Sequence, residues 1–316
     1  MRKVGFLVFD DVTMLDVSGP AEVLSRATDY ELVYFSPTGG SISSNSGLSV
    51  SGTLIPDLEL TKSLDTLIIA GSDALPGSPW PDGLIEAARI LTTGTHRIAS
   101  VCTGAFILAE LGLLNGRHAT THWKNAQDLA RRYPKIRVDA DILHVHDGQF
   151  ITSAGISAGI DLALSIVEED HGASAAREIA QEMVVFMHRP GGQSQFTGAY
   201  SYSPASNSIV QKAISIFDAD PTGEHTLVSL AHAVSVSTRH LSRLFQQELG
   251  ITPARWIERM RLSRAQKFIL DGFTISATAQ HSGFGSDENL RRAFSRSFHM
   301  SPTEYRARFS STFRTF

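Results

Sequence analysis

Two domains of different class are predicted: an α/β domain over residues 1–187 and an all-α domain with two helix-turn-helix units over residues 206–316, joined by a connection at 188–205. Three observations predict them. Short β-branched and aromatic runs alternate with helical stretches through the N-terminal half, the pattern of a doubly wound, largely parallel sheet. Toward the C-terminus a single helical pattern is written twice, 49 residues apart. Ser237, Leu241, Arg243, Leu244, Phe245, Leu249 and Pro253 return as Ser286, Leu290, Arg292, Ala293, Phe294, Phe298 and Pro302. Charge divides near the same boundary. Residues 206–316 hold 14 Lys+Arg against 9 Asp+Glu, a net +5, while residues 1–205 hold 14 against 23, a net −9. A basic domain beside an acidic one is expected where only the basic domain meets phosphates.

In chain order, residues 4–9 read as a buried strand. Gly19-Pro20 breaks the chain, and a helix begins over 21–27. Residues 32–35 form a second strand, followed by a Ser- and Gly-rich loop over 36–47. Residues 67–70 (LIIA) are another buried strand ending in Gly71-Ser72. Pro79-Trp80-Pro81 starts a helical stretch to about residue 91. Residues 98–101 are a strand that runs into Cys102-Thr103-Gly104, and a helix over 105–111 stops at Gly112. Residues 122–133 are helical, 142–146 and 149–152 form a hairpin, and 156–170 and 173–187 are helices. The connection, HRPGGQSQFTGAYSYSPA, combines Pro, Gly, Ser and Gln and reads as extended and mobile, with Gly191-Gly192 signalling flexibility.

The second domain opens with a helix over 207–217 and a loop over 218–225. A short helix over 227–233 (LVSLAHA) precedes the first copy of the repeat, and a short helix over 275–281 (ISATAQH) precedes the second. Short helix, tight turn and longer helix make the helix-turn-helix plan. Ser237 and Ser286 stand as N-caps. Between the units, residues 253–270 form a rod of roughly 26 Å, with Pro253 in its first turn and Gly272 as its stop. Such a rod sets two recognition helices about one DNA turn apart. The residues facing DNA are then Arg239, His240, Ser242, Arg243 and Gln246 in the first copy, and Ser286, Asn289, Arg291, Arg292 and Arg296 in the second. These are types that reach base edges or phosphates from a major-groove helix.

The same stretch carries a more specific signal. GFGSDENLRRAFSRSFHMSPTEYRARF, over 283–309, closely resembles the signature of AraC/XylS-type transcription regulators, and SVSTRHLSRLFQQELGITPARWI resembles that family's first helix-turn-helix. The resemblance spans roughly the last 110 residues and implies binding to double-stranded DNA at a promoter or operator.

The first domain centres on strand, Cys102, helix (ASVCTGAFILAELGLL). A nucleophile at such a turn is held at the C-terminal edge of the sheet, and the free N–H groups of the helix start favour a thiolate. This elbow, with LDVSGPAEVL, ATTHW and TSAGISAGIDLAL, resembles the PfpI-like, class I glutamine-amidotransferase-like superfamily, and within it isocyanide hydratases and the sensor halves of GlxA-type regulators. The resemblance implies a mostly parallel sheet sandwiched by helices, usually dimeric. Cys102 matches the elbow cysteine, Glu22 the acid beside it in many members, Asp16 the acid of the hydratases' LD-x-x-GP motif, and Thr103 the residue after the cysteine in hydratases. Peptidase-like members carry a His where this chain has Thr103; His122 is placed to approach from the THW segment.

A single Cys excludes an intramolecular disulfide framework. No apolar run approaches the ~20 residues that span a membrane, and the opening MRKVGFLVF leads into Asp10-Asp11 as a strand, without a cleavage site. A cytoplasmic protein without membrane contact is expected. No Cys/His/Asp cluster has zinc-like spacing, and His144 and His146 read as an exposed hairpin face, so neither metal nor cofactor is expected. Together these readings predict a transcription regulator, an activator as is usual in the family, whose α/β domain senses a small-molecule effector through Asp16, Glu22, Cys102, Thr103 and His122 and forms a homodimer. RNA polymerase is a further candidate partner. The alternative is a Cys102-dependent hydratase-like enzyme, or a redox or electrophile sensor, fused to a DNA reader.

Overall fold

The computed structural model describes residues 1–54, 64–77, 79–187, 189, 192–193 and 207–309. Of the connection expected over 188–205, all but 189, 192 and 193 lies outside the described residues. Contacts divide the chain into two compact units, Met1–Gln193 and Ser194–Phe316.

The first unit runs β1 (Arg2–Leu7), α1 (Met14–Ser25), β2 (Tyr30–Ser36), β3 (Gly40–Ser43), β4 (Ser49–Leu54), β5 (Thr66–Ile69), α2 (Leu84–Thr92), β6 (Arg97–Val101), α3 (Gly104–Glu110), β7 (His118–Ala119), α4 (Trp123–Arg132), β8 (Arg137–Val138), β9 (His144–Asp147), β10 (Phe150–Ser153), α5 (Ala158–His171) and α6 (Ala173–Glu182). One sheet has the order β3-β4-β2-β1-β5-β6-β10-β9. Its inner pairs are parallel, and the two outermost pairs, β3 with β4 and β9 with β10, are antiparallel. Side chains along β1 and the two residues after it alternate between two cores. Val4, Phe6 and Val8 pack with Val17, Leu24, Leu162 and Ile166 on one face. Leu7 and Phe9 pack with Leu84, Leu91, Phe106 and Leu129 on the other. Helices therefore cover both faces, as parallel sheets require.

Two expectations for this unit are corrected. Gly19-Pro20 does not break the chain; Pro20 lies inside α1. The pair serves a close helix crossing. A Cβ on Gly19 would stand 3.2 Å from Ile160 Cγ1, and the Pro20 ring lies 3.0 Å from where a Cβ on Gly159 would be. The expected loop over 36–47 holds strand β3, which pairs with β4 at the sheet edge. Within the two strands only Ile42 and Gly52 are buried, so they lack the apolar alternation that marks a strand.

The second unit runs α7 (Ser208–Ala219), α8 (Leu227–Ala233), α9 (Thr238–Leu249), α10 (Pro253–Leu270), α11 (Ile275–His281), α12 (Asp287–Phe298) and α13 (Pro302–Phe309). Ser237 accepts the His240 N–H at 3.2 Å and Ser286 accepts the Asn289 N–H at 3.3 Å, so both copies of the repeat begin with the same cap. Each copy has its own core. Trp256 and Ile257, in the first half of α10, pack with Phe217, Leu241 and Phe245. Leu262, Ala265 and Ile269, in its second half, pack with Leu290, Phe294, Phe298 and Tyr305. One 18-residue helix, about 27 Å long, thus belongs to both cores.

The copies differ at their C-caps. Both end in left-handed backbone, with Gly250 at φ 68° and His299 at φ 52°. A side chain there costs free energy that glycine does not. His299→Gly is expected to stabilise the helical unit by about 0.5–1 kcal/mol, read as a higher urea midpoint; an unchanged or lower midpoint would show that the His299 side chain compensates its own strain.

Candidate functional site

The C-terminal ends of β5, β6 and β10 converge on Cys102, where ligands bind in open α/β sheets. Cys102 sits in left-handed backbone at φ 57° between β6 and α3. Its N–H donates to the Ser153 carbonyl at 3.2 Å, and its own carbonyl accepts the Thr121 hydroxyl at 2.7 Å. Gly155, at φ 101°, passes so close that a Cβ would stand 2.3 Å from Cys102 Cβ. Only glycine fits this wall.

Asp16, on the first turn of α1, is fully buried and close enough to Cys102 for the charge of each to act on the other. Asp16 Oδ2 accepts the Gly71 N–H at 3.1 Å and Oδ1 accepts the Ile156 N–H at 2.9 Å. Burial pushes the carboxyl up to about 7, against the downward pull of those two N–H groups. Burial, and then the Asp16 charge, push the Cys102 thiol upward as well. The expected thiolate is corrected here: desolvation and a neighbouring acid outweigh the helix start. With 3% of its surface exposed, Cys102 is expected to react with iodoacetamide at pH 8 more than about 100-fold slower than a free thiol. A rate near that of free cysteine, read by intact mass, would restore the thiolate.

Thr103 is also buried, but its hydroxyl is spent on the scaffold. It donates to the Ser72 carbonyl at 2.7 Å and accepts the Ser72 N–H at 2.8 Å. Glu22 does not join the group. It lies six residues beyond Asp16 on α1, about 120° away around the helix at 100° per residue. Its exposed carboxylate pairs with Arg26, which also binds Glu182 at 2.6 Å. The acid beside the cysteine is Asp16. His122 caps α4, its Nδ1 accepting the Lys124 N–H at 3.4 Å, and burial holds its ring below the usual histidine value. Asp73, which sequence reasoning missed, contributes its charge to Asp16, Cys102 and His122 together. Nothing in the local sequence marks it; only the loop after β5 brings it to this edge. Among the described residues no group of three or more His, Cys, Asp or Glu is arranged to hold a metal, and no helix is long and apolar enough to cross a membrane.

The second candidate surface is the pair of helices α9 and α12. Arg243 donates to His240 Nδ1 at 3.1 Å. Forty-nine residues on, Arg292 donates to Asn289 Oδ1 at 3.0 Å. The repeat therefore extends to side-chain geometry: in each recognition helix an exposed arginine is held by the residue three before it. Arg292 also lies 3.4 Å from Glu288. Arg239 and Arg291 are exposed, while His240 and Ser242 are half-buried. Two further expected DNA contacts are engaged within the unit. Gln246 donates to the Gly250 carbonyl at 3.0 Å, and Arg296 pairs with Glu258 of α10. Glu258, Arg261, Asn289, Arg292 and Arg296 line a crevice of about 460 Å³ between α10 and α12.

Residues 2–169 match the DJ-1/PfpI family and residues 230–308 match a helix-turn-helix domain. The chain is 29% identical over 308 residues to the HTH-type transcriptional regulator CdhR of Pseudomonas aeruginosa, spanning 96% of this chain and 89% of that one. It is 27% identical over 327 residues to the HTH-type transcriptional regulator GlxA of Rhizobium meliloti, spanning 98% and 97%. A ThiJ/PfpI family protein from Pseudomonas syringae shares its fold with a TM-score of 0.53 at 22% identity, covering 74% of this chain and 90% of that one.

Proposed function

The chain belongs to the DJ-1/PfpI family and carries an AraC-type helix-turn-helix domain, and from these memberships we propose how this DNA-binding transcription regulator works. Its two recognition helices enter successive major grooves, with Arg243 and Arg292 at the base edges. The α/β domain, residues 1–187, senses a small polar metabolite at the Asp16–Cys102 edge and forms the homodimer. Residues 188–205 carry the signal to a DNA-binding domain at 206–316, and the regulator activates transcription through RNA polymerase.

The observation that carries the reading is the repeated pair, Arg243 with His240 and Arg292 with Asn289. Two arginines posed alike at a 49-residue spacing suit a duplex that presents the same groove twice. The sensing half is supported by a buried acid whose proton is exchangeable near neutral pH. Such a group discriminates between ligands that donate and ligands that accept a hydrogen bond. A ligand shifts DNA affinity only by binding two conformations unequally. Turnover at Cys102 is less well supported, because the thiol is held neutral and the Thr103 hydroxyl has both of its bonds within the scaffold.

Fluorescence anisotropy of the full chain on DNA from upstream of its own gene, at several salt concentrations and with a panel of polar metabolites, tests the proposal. Binding that exceeds that to random DNA, with a steep salt dependence and a metabolite-dependent affinity, is expected. Equal affinity for every sequence, with and without metabolites, would overturn it.

A further inference from the structure

The site around Cys102 is closed: Asp16 has no exposed surface and Cys102 has 3%. Access to it requires one of its walls to move. One wall is Gly155–Ile156, whose backbone presses on Cys102 and whose Ile156 N–H holds Asp16. Besides the loop after β5, whose Gly71 N–H also holds Asp16, the remaining wall is the segment 120–123, where the Thr121 hydroxyl holds the Cys102 carbonyl.

The 155–156 and 120–123 walls are both fastened to the start of the connection between the units. Arg189 grips the first. Its Nη1 donates to Ser157 Oγ at 3.1 Å, its Nε donates to Asp161 Oδ1 at 2.9 Å, and its Nη2 pairs with Asp161 Oδ2. Asp161 is buried while Arg189 stays partly exposed, so the carboxylate end of this two-point ion pair is the end withdrawn from water. Gln193 grips the second. Its Oε1 accepts the Trp123 N–H at 2.7 Å, and its Nε2 donates to the Thr121 carbonyl at 3.0 Å and lies 3.2 Å from the Ile142 carbonyl. Gln193 is 3% exposed. Its backbone N–H reaches the Asp141 carbonyl at 2.5 Å. Gly192 is required by the same approach, since a Cβ there would stand 2.3 Å from the Asp141 oxygen. This corrects its reading as a mark of flexibility: Gly192 is a point of contact.

We propose that Arg189 and Gln193 are positioning residues that couple opening of the Cys102 site to release of their own side chains and of Gly192 from the α/β unit. The coupling rests on the sensing reading of that site for its purpose, though its geometry stands apart from it. Moving the 120–123 wall strands the Gln193 amide and the Trp123 N–H in a buried setting, which is unfavourable unless the connection moves too. The arrangement therefore has two states, wall and connection docked or wall and connection free. Linkage makes the effect reciprocal: whatever frees the connection also eases access to Cys102.

Cys102, the one cysteine of the chain, supplies the probe. Iodoacetamide alkylates it by forming the S–C bond as iodide leaves and the thiol proton passes to solvent. In the full chain, Gln193→Ala and Arg189→Ala are each expected to raise the alkylation rate at pH 8 by roughly 5–150-fold. Gln193→Glu, which keeps the acceptor for Trp123 and loses the donors, is expected to fall between. Alkylated wild type is expected to show faster hydrogen exchange at the Gln193 amide, whose N–H is held by the Asp141 carbonyl. Ile166→Val, a buried change in α5 that touches neither contact, controls for general loosening. Rates in the Gln193 and Arg189 variants no higher than in Ile166→Val would overturn the coupling. Raised rates with DNA affinity unchanged by alkylation would support the coupling and sink the sensing reading instead.

Discussion

Arg243→Ala and Arg292→Ala are each expected to weaken binding to the cognate site by about 1–3 kcal/mol, and to do so far more on that site than on random DNA. Each guanidinium is held by a neighbour three residues earlier on its own helix, so less side-chain freedom is lost when it meets a guanine edge. The two helices belong to separate cores. The single losses should therefore add in the double variant, to about 2–6 kcal/mol. Arg239→Ala is the internal comparison. Its counterpart in the repeat is Glu288, so it lies outside the repeated constellation and is expected to cost less specificity. Arg296→Ala should also cost less than Arg292→Ala, because Arg296 is tied to Glu258 of α10, whereas the Arg292 pair with Glu288 is an exposed one within its own helix. The measurement is anisotropy of each variant on cognate and random duplexes across a salt series. Equal weakening on both duplexes, with the salt slope reduced by about one per arginine, would make these residues phosphate contacts rather than base readers.

The helical unit is legible in the sequence because its signals are local. Caps, helical periodicity and tight turns lie within a few residues of each other, and the expected short helices at 227–233 and 275–281 and the rod at 253–270 coincide with α8, α11 and α10. The α/β unit is less so, since its deciding facts are tertiary. Pro20 inside α1 makes sense only once Gly159 is packed against it. The β3–β4 hairpin lies at an edge where few side chains are buried. Asp16 and Glu22 are both acids on one helix, and only the direction of each decides which meets the cysteine. The state of the thiol is hidden for the same reason. The helix start is visible in the sequence, whereas the burial that outweighs it is produced by residues 16, 71, 155 and 156 arriving from different elements. Gln193 falls in a Gly- and Ser-rich stretch with no sign that its side chain is buried.

Asp16 should make the stability of the α/β unit fall as pH rises through the weakly acid range. Its ordinary carboxyl value is 3.8 and burial raises it to about 7 in the folded chain. Below about pH 4 both folded and unfolded chains hold the proton, and Asp16 adds no pH dependence. Between about 4 and 7 the folded chain keeps a proton that the unfolded chain has released. The folded state then binds more protons, so stability declines with rising pH, and the decline ends above 7 when both states are ionised. A shift of this size corresponds to something on the order of 4 kcal/mol across the window. Asp16→Asn removes the titration. Its amide offers one acceptor to two N–H donors, from Gly71 and Ile156, so the variant should be the less stable at pH 4, where wild type is protonated. By pH 8 the wild type carries the cost of a buried charge and the variant does not. The difference between them should therefore move in the variant's favour by most of that 4 kcal/mol, read as urea midpoints of the full chain at pH 4, 6 and 8. A difference that stays flat across the series would mean that Asp16 titrates near its ordinary value and that its charge is solvated in the folded protein. The same variant carries a second readout. The Asp16 charge is one of the causes holding the Cys102 thiol up, so its removal should speed alkylation of Cys102 at pH 8. Faster alkylation together with the shifted midpoints would tie the acid and the thiol into one titrating unit, the property a ligand must overcome or exploit when it reaches this site.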